Sequence, residues 1–178
     1  MVALKLVRLI ERHSEELVQG LAEQIRTSER MCSFRNIPPA DLELAAAEVY
    51  RNLGEWLLQK TEEDIERRFG AIAARRAAEQ ISLHQFVWAL IVSRDHLWRF
   101  LQREAFACNV VELYGELELH QMLTQFFDRA VYYGILAYGM AEREDRGKSI
   151  LSSAATSRQA RLDGTRPFLQ SVQGKVDE

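Results

Sequence analysis

The chain is poor in the residues that interrupt or cross-link a backbone. It has three prolines, Pro38, Pro39 and Pro167, so none falls between Ala40 and Arg166. Proline ends helices, and a proline-free stretch of that length leaves room for long ones. The two cysteines, Cys32 and Cys108, lie far apart and form no CxxC pair. That is the usage of a reduced, cytoplasmic protein with structural thiols, not of a disulfide scaffold. No long apolar run is present. Between Arg129 and Glu142 only 12 uncharged residues stand together, whereas a membrane span needs about 20. The N-terminal "MVALKLVRLIERHSEEL" is broken by Lys5, Arg8, Glu11 and Arg12, which argues against a signal peptide. Neither sign of charge dominates: the net charge is -3, which argues against a nucleic-acid partner.

Catalytic signatures are also missing. There is no HExxH, no Cys/His cluster at ligand spacing and no glycine-rich phosphate loop. In "SRDHLW", Ser93, Asp95 and His96 fall on different faces of one helix and cannot converge as a triad. The reading is therefore non-enzymatic, with no metal and no cofactor.

What is present is helical spacing. No segment alternates polar and apolar residues with β-branched enrichment. A first helix spans about Val2 to Arg30, with Leu6, Ile10, Leu17, Leu21 and Ile25 inward. Pro38 and Pro39 break the chain and preset the next start. A second helix runs from Pro39 to about Lys60, with Leu42, Ala46, Val49, Leu53 and Trp56 inward. Thr61 caps a third, about Glu62 to Gln80, whose first turn carries Glu62, Glu63 and Asp64. Ile65, Phe69 and Ile72 anchor it, while Arg67, Arg68, Arg75 and Arg76 face water. "ISLHQ" reads as a capping box, Ser82 with Gln85, opening a fourth helix to about Ala107. A fifth runs from about Val110 to Arg143. The fold class is all-α, with a domain over 1–145 and a flexible polar tail over 146–178.

The fourth helix carries Leu83, Val87, Leu90, Leu97 and Leu101 inward, with Arg94 in the middle of that row. A buried guanidinium needs a partner. Arg94 is either a snorkelling or structurally paired arginine, with Asp128 one candidate partner, or an internal latch or anion site. Trp88, Trp98 and His120 join it as candidates for a polar pocket in an aromatic-rich interior that includes Trp56, Phe86, Phe100 and Phe106. His96 shares a face with Gln85 and Arg103 and is expected in solvent. His120 is either a satisfied core histidine or an axial haem ligand.

The fifth helix has two apolar rows. One is His120, Thr124, Phe127, Val131, Gly134 and Tyr138. The other is Leu119, Leu123, Phe126, Ala130, Tyr133, Ala137 and Met140, in the alternating four- and three-residue steps of a coiled-coil seam. A helix packed on one bundle needs one row. Either the second row is a homodimer interface, or the helix is central in a monomer.

Residues 74–106, "ARRAAEQISLHQFVWALIVSRDHLWRFLQREAF", and 116–145, "ELELHQMLTQFFDRAVYYGILAYGMAERED", together resemble the RsbR-type sensory domain. This is the N-terminal domain of the stressosome co-antagonists, and with the N-terminal helix the likeness covers about 1–145. The resemblance implies a globin-like bundle of about five helices with a long last helix, usually without haem. It also implies a homodimer that serves as a signal-input module, its last helix leading to an output domain or a downstream signalling partner. No ligand residues carry over. The sequence departs from the family where an output domain would begin, since a short polar stretch follows Asp145.

Overall fold

The computed structural model describes residues 2–104 and 110–163, with side chains of the last helix given through Ala141 and at Arg143. Among the described residues every element is helical. The elements are α1 Val2–Arg12, α2 Ser14–Thr27, a 3-10 segment Glu29–Asn36, α3 Pro39–Arg51, α4 Leu53–Leu58, α5 Glu62–Ala78, α6 Leu83–Glu104 and α7 Val110–Asp163. The fold is all-α with a long closing helix.

The five expected helices are more finely divided, because the first two break without proline. At His13 the backbone leaves helical angles (φ -99°, ψ 15°), and its ring Nδ1 lies 2.9 Å from the Leu9 carbonyl oxygen. The bend lets Ala3, Val7 and Ile10 of α1 and Leu17, Leu21 and Ile25 of α2 all reach the core. At Asn52 (φ -120°, ψ 30°) the side chain donates from Nδ2 to the Glu48 carbonyl at 3.0 Å. Asparagine competes in this way with the backbone ladder.

Thr61 caps α5 as expected. Its hydroxyl accepts from the Asp64 N–H while the Asp64 carboxylate accepts from the Thr61 N–H, the reciprocal box that satisfies two end donors. The Asp64 carboxyl is held below its usual range, first by that backbone bond and then by the Thr61 hydroxyl. The second expected box does not form. Gln85 is buried, and its Oε1 accepts from the Ser33 N–H at 3.1 Å. A tertiary need of the 3-10 segment has taken the side chain that local pattern assigned to the helix start.

The end of α5 is a Schellman turn. Ile81 N–H bonds the Arg76 carbonyl and Gln80 N–H bonds the Ala77 carbonyl, each at 3.0 Å. Gln80 takes the left-handed backbone (φ 59°) that glycine usually supplies.

By contacts the chain divides into Met1–Gly139 and Met140–Glu178. In the first unit α2 packs on α3, α6 and the 3-10 segment, α1 on α3 and α4, and α5 on α6. The last helix joins them through aromatic contacts. Phe126 meets Trp56 of α4 at 6.0 Å and Phe69 of α5 at 5.6 Å between ring centres. At Gly115 the backbone comes so near α1 that an added Cβ would stand 2.4 Å from Val2 Cβ. The second unit, over its described residues, is helix to Asp163. The polar stretch from 146 was expected to be a flexible tail. Its described residues, 146–163, are helical: "RGKSILSSAATSRQARLD" contains no proline, and Ala, Arg, Leu and Gln favour a helix. Phe168 and Leu169 lie outside the described residues, as do Phe106 and Cys108. Among the described residues no helix is long and apolar enough to cross a membrane.

Candidate functional site

The row expected to form a dimer seam faces the protein's own core. Leu119 and Ala130 are fully buried, Leu123 and Phe126 nearly so, and Tyr133 and Ala137 pack partly buried on the same cluster. Tyr133 also donates its hydroxyl to Glu62 at 3.0 Å. Only Met140 of the seven is exposed. The alternative, a helix surrounded by its own chain, holds for this row. The adjacent row is core as well at Phe127, Gly134 and Tyr138. Two rows are needed because α7 touches α1, α4, α5 and α6, and four neighbours subtend a wide arc.

A third row lies opposite. Among the described residues, eleven large apolar side chains are exposed, and nine of them belong to α7. Since each helical residue turns by about 100°, Val110, Tyr114, Leu117, Gln121, Asp128, Tyr132 and Ile135 share one outward side. Their steps are again fours, threes and one seven. Tyr114 is 69% exposed and Tyr132 59%. The row is apolar at both ends and polar in the middle. Sequence reasoning missed it because its spacing matches that of the buried row.

The expected polar pocket is formed in part. Arg94, Trp98 and His120 come together with Asp95, Leu123 and Thr124 around a cleft of about 210 Å³. Arg94 is one-third exposed and pairs with Asp95 (Nε to Oδ1, 3.3 Å) and, at 3.9 Å, with Asp128. The paired-arginine reading therefore holds, with Asp128 a partner. His120 is exposed, edge-on to Trp98 at 4.5 Å between ring centres, with Nδ1 3.5 Å from the Thr124 hydroxyl. It is not a core histidine. Trp88 stands apart from the cleft, its ring under the Arg30 guanidinium at 5.0 Å.

A different, more apolar cavity lies between the helices and opens to solvent on one side. It measures about 90 Å³ and is walled by α2 (Leu21, Ile25), α3 (Leu42, Val49), α5 (Phe69, Ile72), α6 (Phe86, Leu90) and α7 (Phe127), with Phe34 of the 3-10 segment. The polar groups on its wall are engaged. Tyr50 donates to the Ser93 carbonyl at 3.0 Å, and the Ser93 hydroxyl donates to the Ala89 carbonyl at 2.8 Å. Burial pushes the Tyr50 phenol far above its ordinary value. No histidine lines this cavity and His120 lies outside it, so the residues present do not fit an axial haem site. Cavities rarely announce themselves in sequence; the pair Ala45–Ala46 on α3, where bulk would otherwise fill the space, was the available signal.

Two further placements correct the sequence reading. Arg76, expected in water, has a side chain only 4% exposed and pairs with Glu79 at 2.5 Å. Glu79 titrates below the usual carboxylate range: burial opposes this, but hydrogen bonds from Arg76 and Arg75 outweigh it. Beside this pair Tyr138 donates to the Ile81 carbonyl at 3.0 Å, and burial raises its phenol to about 12. His96, also expected in water, is half-buried against α2, with Nδ1 3.2 Å from Gln24 Oε1. Cys32 is exposed and forms no disulfide, and its Sγ accepts from Gln85 Nε2 at 3.6 Å. Among the described residues no group of His, Cys, Asp and Glu is arranged to hold a metal. Compared with known proteins, the chain matches no family model, no curated protein and no solved structure.

Proposed function

We propose that this chain is a non-enzymatic signal-input module of the RsbR type. In this reading it works as a homodimer through the outward row of α7 and passes a change in its core to a partner or output domain along that helix. The observation that carries the reading is the exposed apolar surface concentrated on α7. Isolated exposed apolar groups are ordinary on a folded domain, but two clusters of them on one side of one helix, Val110–Leu117 and Tyr132–Ile135, mark an association surface. From Val110 to Ile135 the row is about 40 Å long at 1.5 Å rise per residue, long enough for a helix pair to bury a standard interface of about 800 Å² on each side. The four- and three-residue steps suit a second helix. Gln121 and Asp128 in the middle would set register at some cost in strength. The all-helical bundle with a long last helix is compatible with the globin-like fold that the resemblance implies.

Sedimentation at micromolar concentration tests the reading. The native chain is expected to run as a dimer, and Leu117→Glu with Ile135→Glu to run as a monomer with an unchanged helical spectrum. Both positions are exposed, so the substitutions leave the core intact. A native chain that stays monomeric would overturn the reading. The alternative, a haem-binding sensor using His120, predicts a Soret band on adding haemin that His120→Ala removes; the exposed position of His120 speaks against it.

A further inference from the structure

We propose that the apolar cavity between the helices is a binding site for a small uncharged apolar molecule, a single ring or a branched chain of a few carbons, and that Phe86 relays its occupancy to α7. The purpose of such binding rests on the signal-input reading; the binding itself does not. Three observations carry the proposal.

The first is the wall. Leu21, Ile25, Val49, Phe69, Leu90 and Phe127 present hydrocarbon from five helices to one space. An apolar pocket of this kind gains contacts when filled by a molecule that needs no hydrogen bonds. A dry cavity of about 150 Å³ takes benzene. This one is smaller, about 90 Å³, but it opens on α3 and α5 past the partly exposed Ala45, Ala46 and Ile72, so a ring is held by extending into that opening.

The second is the state of the polar groups. Tyr50, Ser93 and Arg76 all have partners within the protein. An anionic ligand would have to displace Glu79 from Arg76, whereas an uncharged one disturbs no bond. Net charge on the ligand is therefore selected against.

The third is the position of Phe86. It lines the cavity and is buried. Its ring also lies on α7, 5.2 Å from the Tyr138 ring centre. It presses so closely on Gly134 that an added Cβ there would come within 2.5 Å of Phe86 Cε1. A ring held between a fillable space and a helix backbone moves the helix when the space fills, because packed interiors transmit displacement.

The test is a benzene titration of the full chain, followed by melting temperature and amide NMR, with benzoate as the charged counterpart of the same ring. Benzene is expected to raise the melting temperature saturably, shifting amides of the lining residues together with Gly134 and Tyr138, and benzoate to bind at least tenfold more weakly. Ala46→Leu and Ala89→Leu, which fill the space from two helices, should each weaken benzene at least tenfold while melting at or above the native temperature in at least one case. Phe86→Leu should bind benzene more weakly, since Phe86 lines the site, and at saturating benzene should lose the Tyr138 shift. No saturable benzene effect, equal binding by a folded filled variant, or tighter binding of benzoate overturns the site. A Tyr138 shift that survives in Phe86→Leu overturns the relay. The same titration on the doubly substituted Leu117→Glu, Ile135→Glu chain separates the two readings: benzene bound by that chain supports the site whatever sedimentation says of the dimer, and benzene bound by the native chain alone overturns a site inside one bundle.

Discussion

At Arg76 a guanidinium is buried against a single close carboxylate, and the two halves of that pair are not equivalent. Removing Glu79 strands a buried charge; removing Arg76 leaves a one-third-exposed carboxylate that still has Arg75 at 3.0 Å. A broken buried pair costs more than one replaced by hydrocarbon. Glu79→Ala is therefore expected to lower stability by about 2 kcal/mol, and Arg76→Met to change it by less than about 1 kcal/mol, both read from urea melts. One residue on, Gln80 holds a left-handed backbone at φ 59°. Glycine adopts that conformation without strain, so Gln80→Gly should stabilise the chain by about 1 kcal/mol in the same measurement. His96 sets a pH dependence. Burial, then Arg99, holds its imidazole below its ordinary value, although a backbone bond at Leu17 pulls the other way. Arg103 acts with Arg99, and Gln24 supplies the neutral contact. The unfolded chain therefore takes up this proton before the folded one does. The sign follows: stability is intact above about pH 6.5 and falls as pH drops below it. Melting temperature should decline over that window in the native chain and less so in His96→Gln; equal slopes would remove His96 as the cause.

At the scale of the element, two glycines of α7 should respond oppositely. Gly134 lies under Phe86, while nothing stands within 4 Å of a Cβ placed at Gly139. Alanine is the better helix former by roughly 0.5–1 kcal/mol, and at Gly139→Ala that gain is expected in full. At Gly134→Ala the ring must move, and overpacking of about 1–3 kcal/mol reverses the sign. Thermal melts of the pair check both. The same helix shows what spacing can and cannot say. Steps of four and three identified α7 as a helix packed on helices, and that holds. They did not say whose helices, since Leu119 to Ala137 and Val110 to Ile135 obey one rule on opposite faces. Likewise Thr61 formed its cap because both partners are local, whereas Gln85 abandoned its cap for Ser33, 52 residues away.

For the whole molecule, the all-helical class, the break at Pro38–Pro39, the starts of α3, α5 and α7 and most inward rows were set by the sequence itself. Proline position, capping chemistry and apolar period act over a few residues and need no tertiary partner. The breaks at His13 and Asn52 are weaker local signals, because neither residue forbids a helix. Only the tertiary structure decided which face of α7 is covered, that Arg76 is buried while Arg67 is not, and that Arg94, Trp98 and His120 meet while Trp88 does not. It alone decided, too, that a cavity remains between α3, α6 and α7. A cavity is the difference between the volume that helix positions enclose and the volume that side chains fill. A covered face depends on where neighbouring helices cross. Both are properties of packing in three dimensions, and residues far apart in the chain determine them jointly.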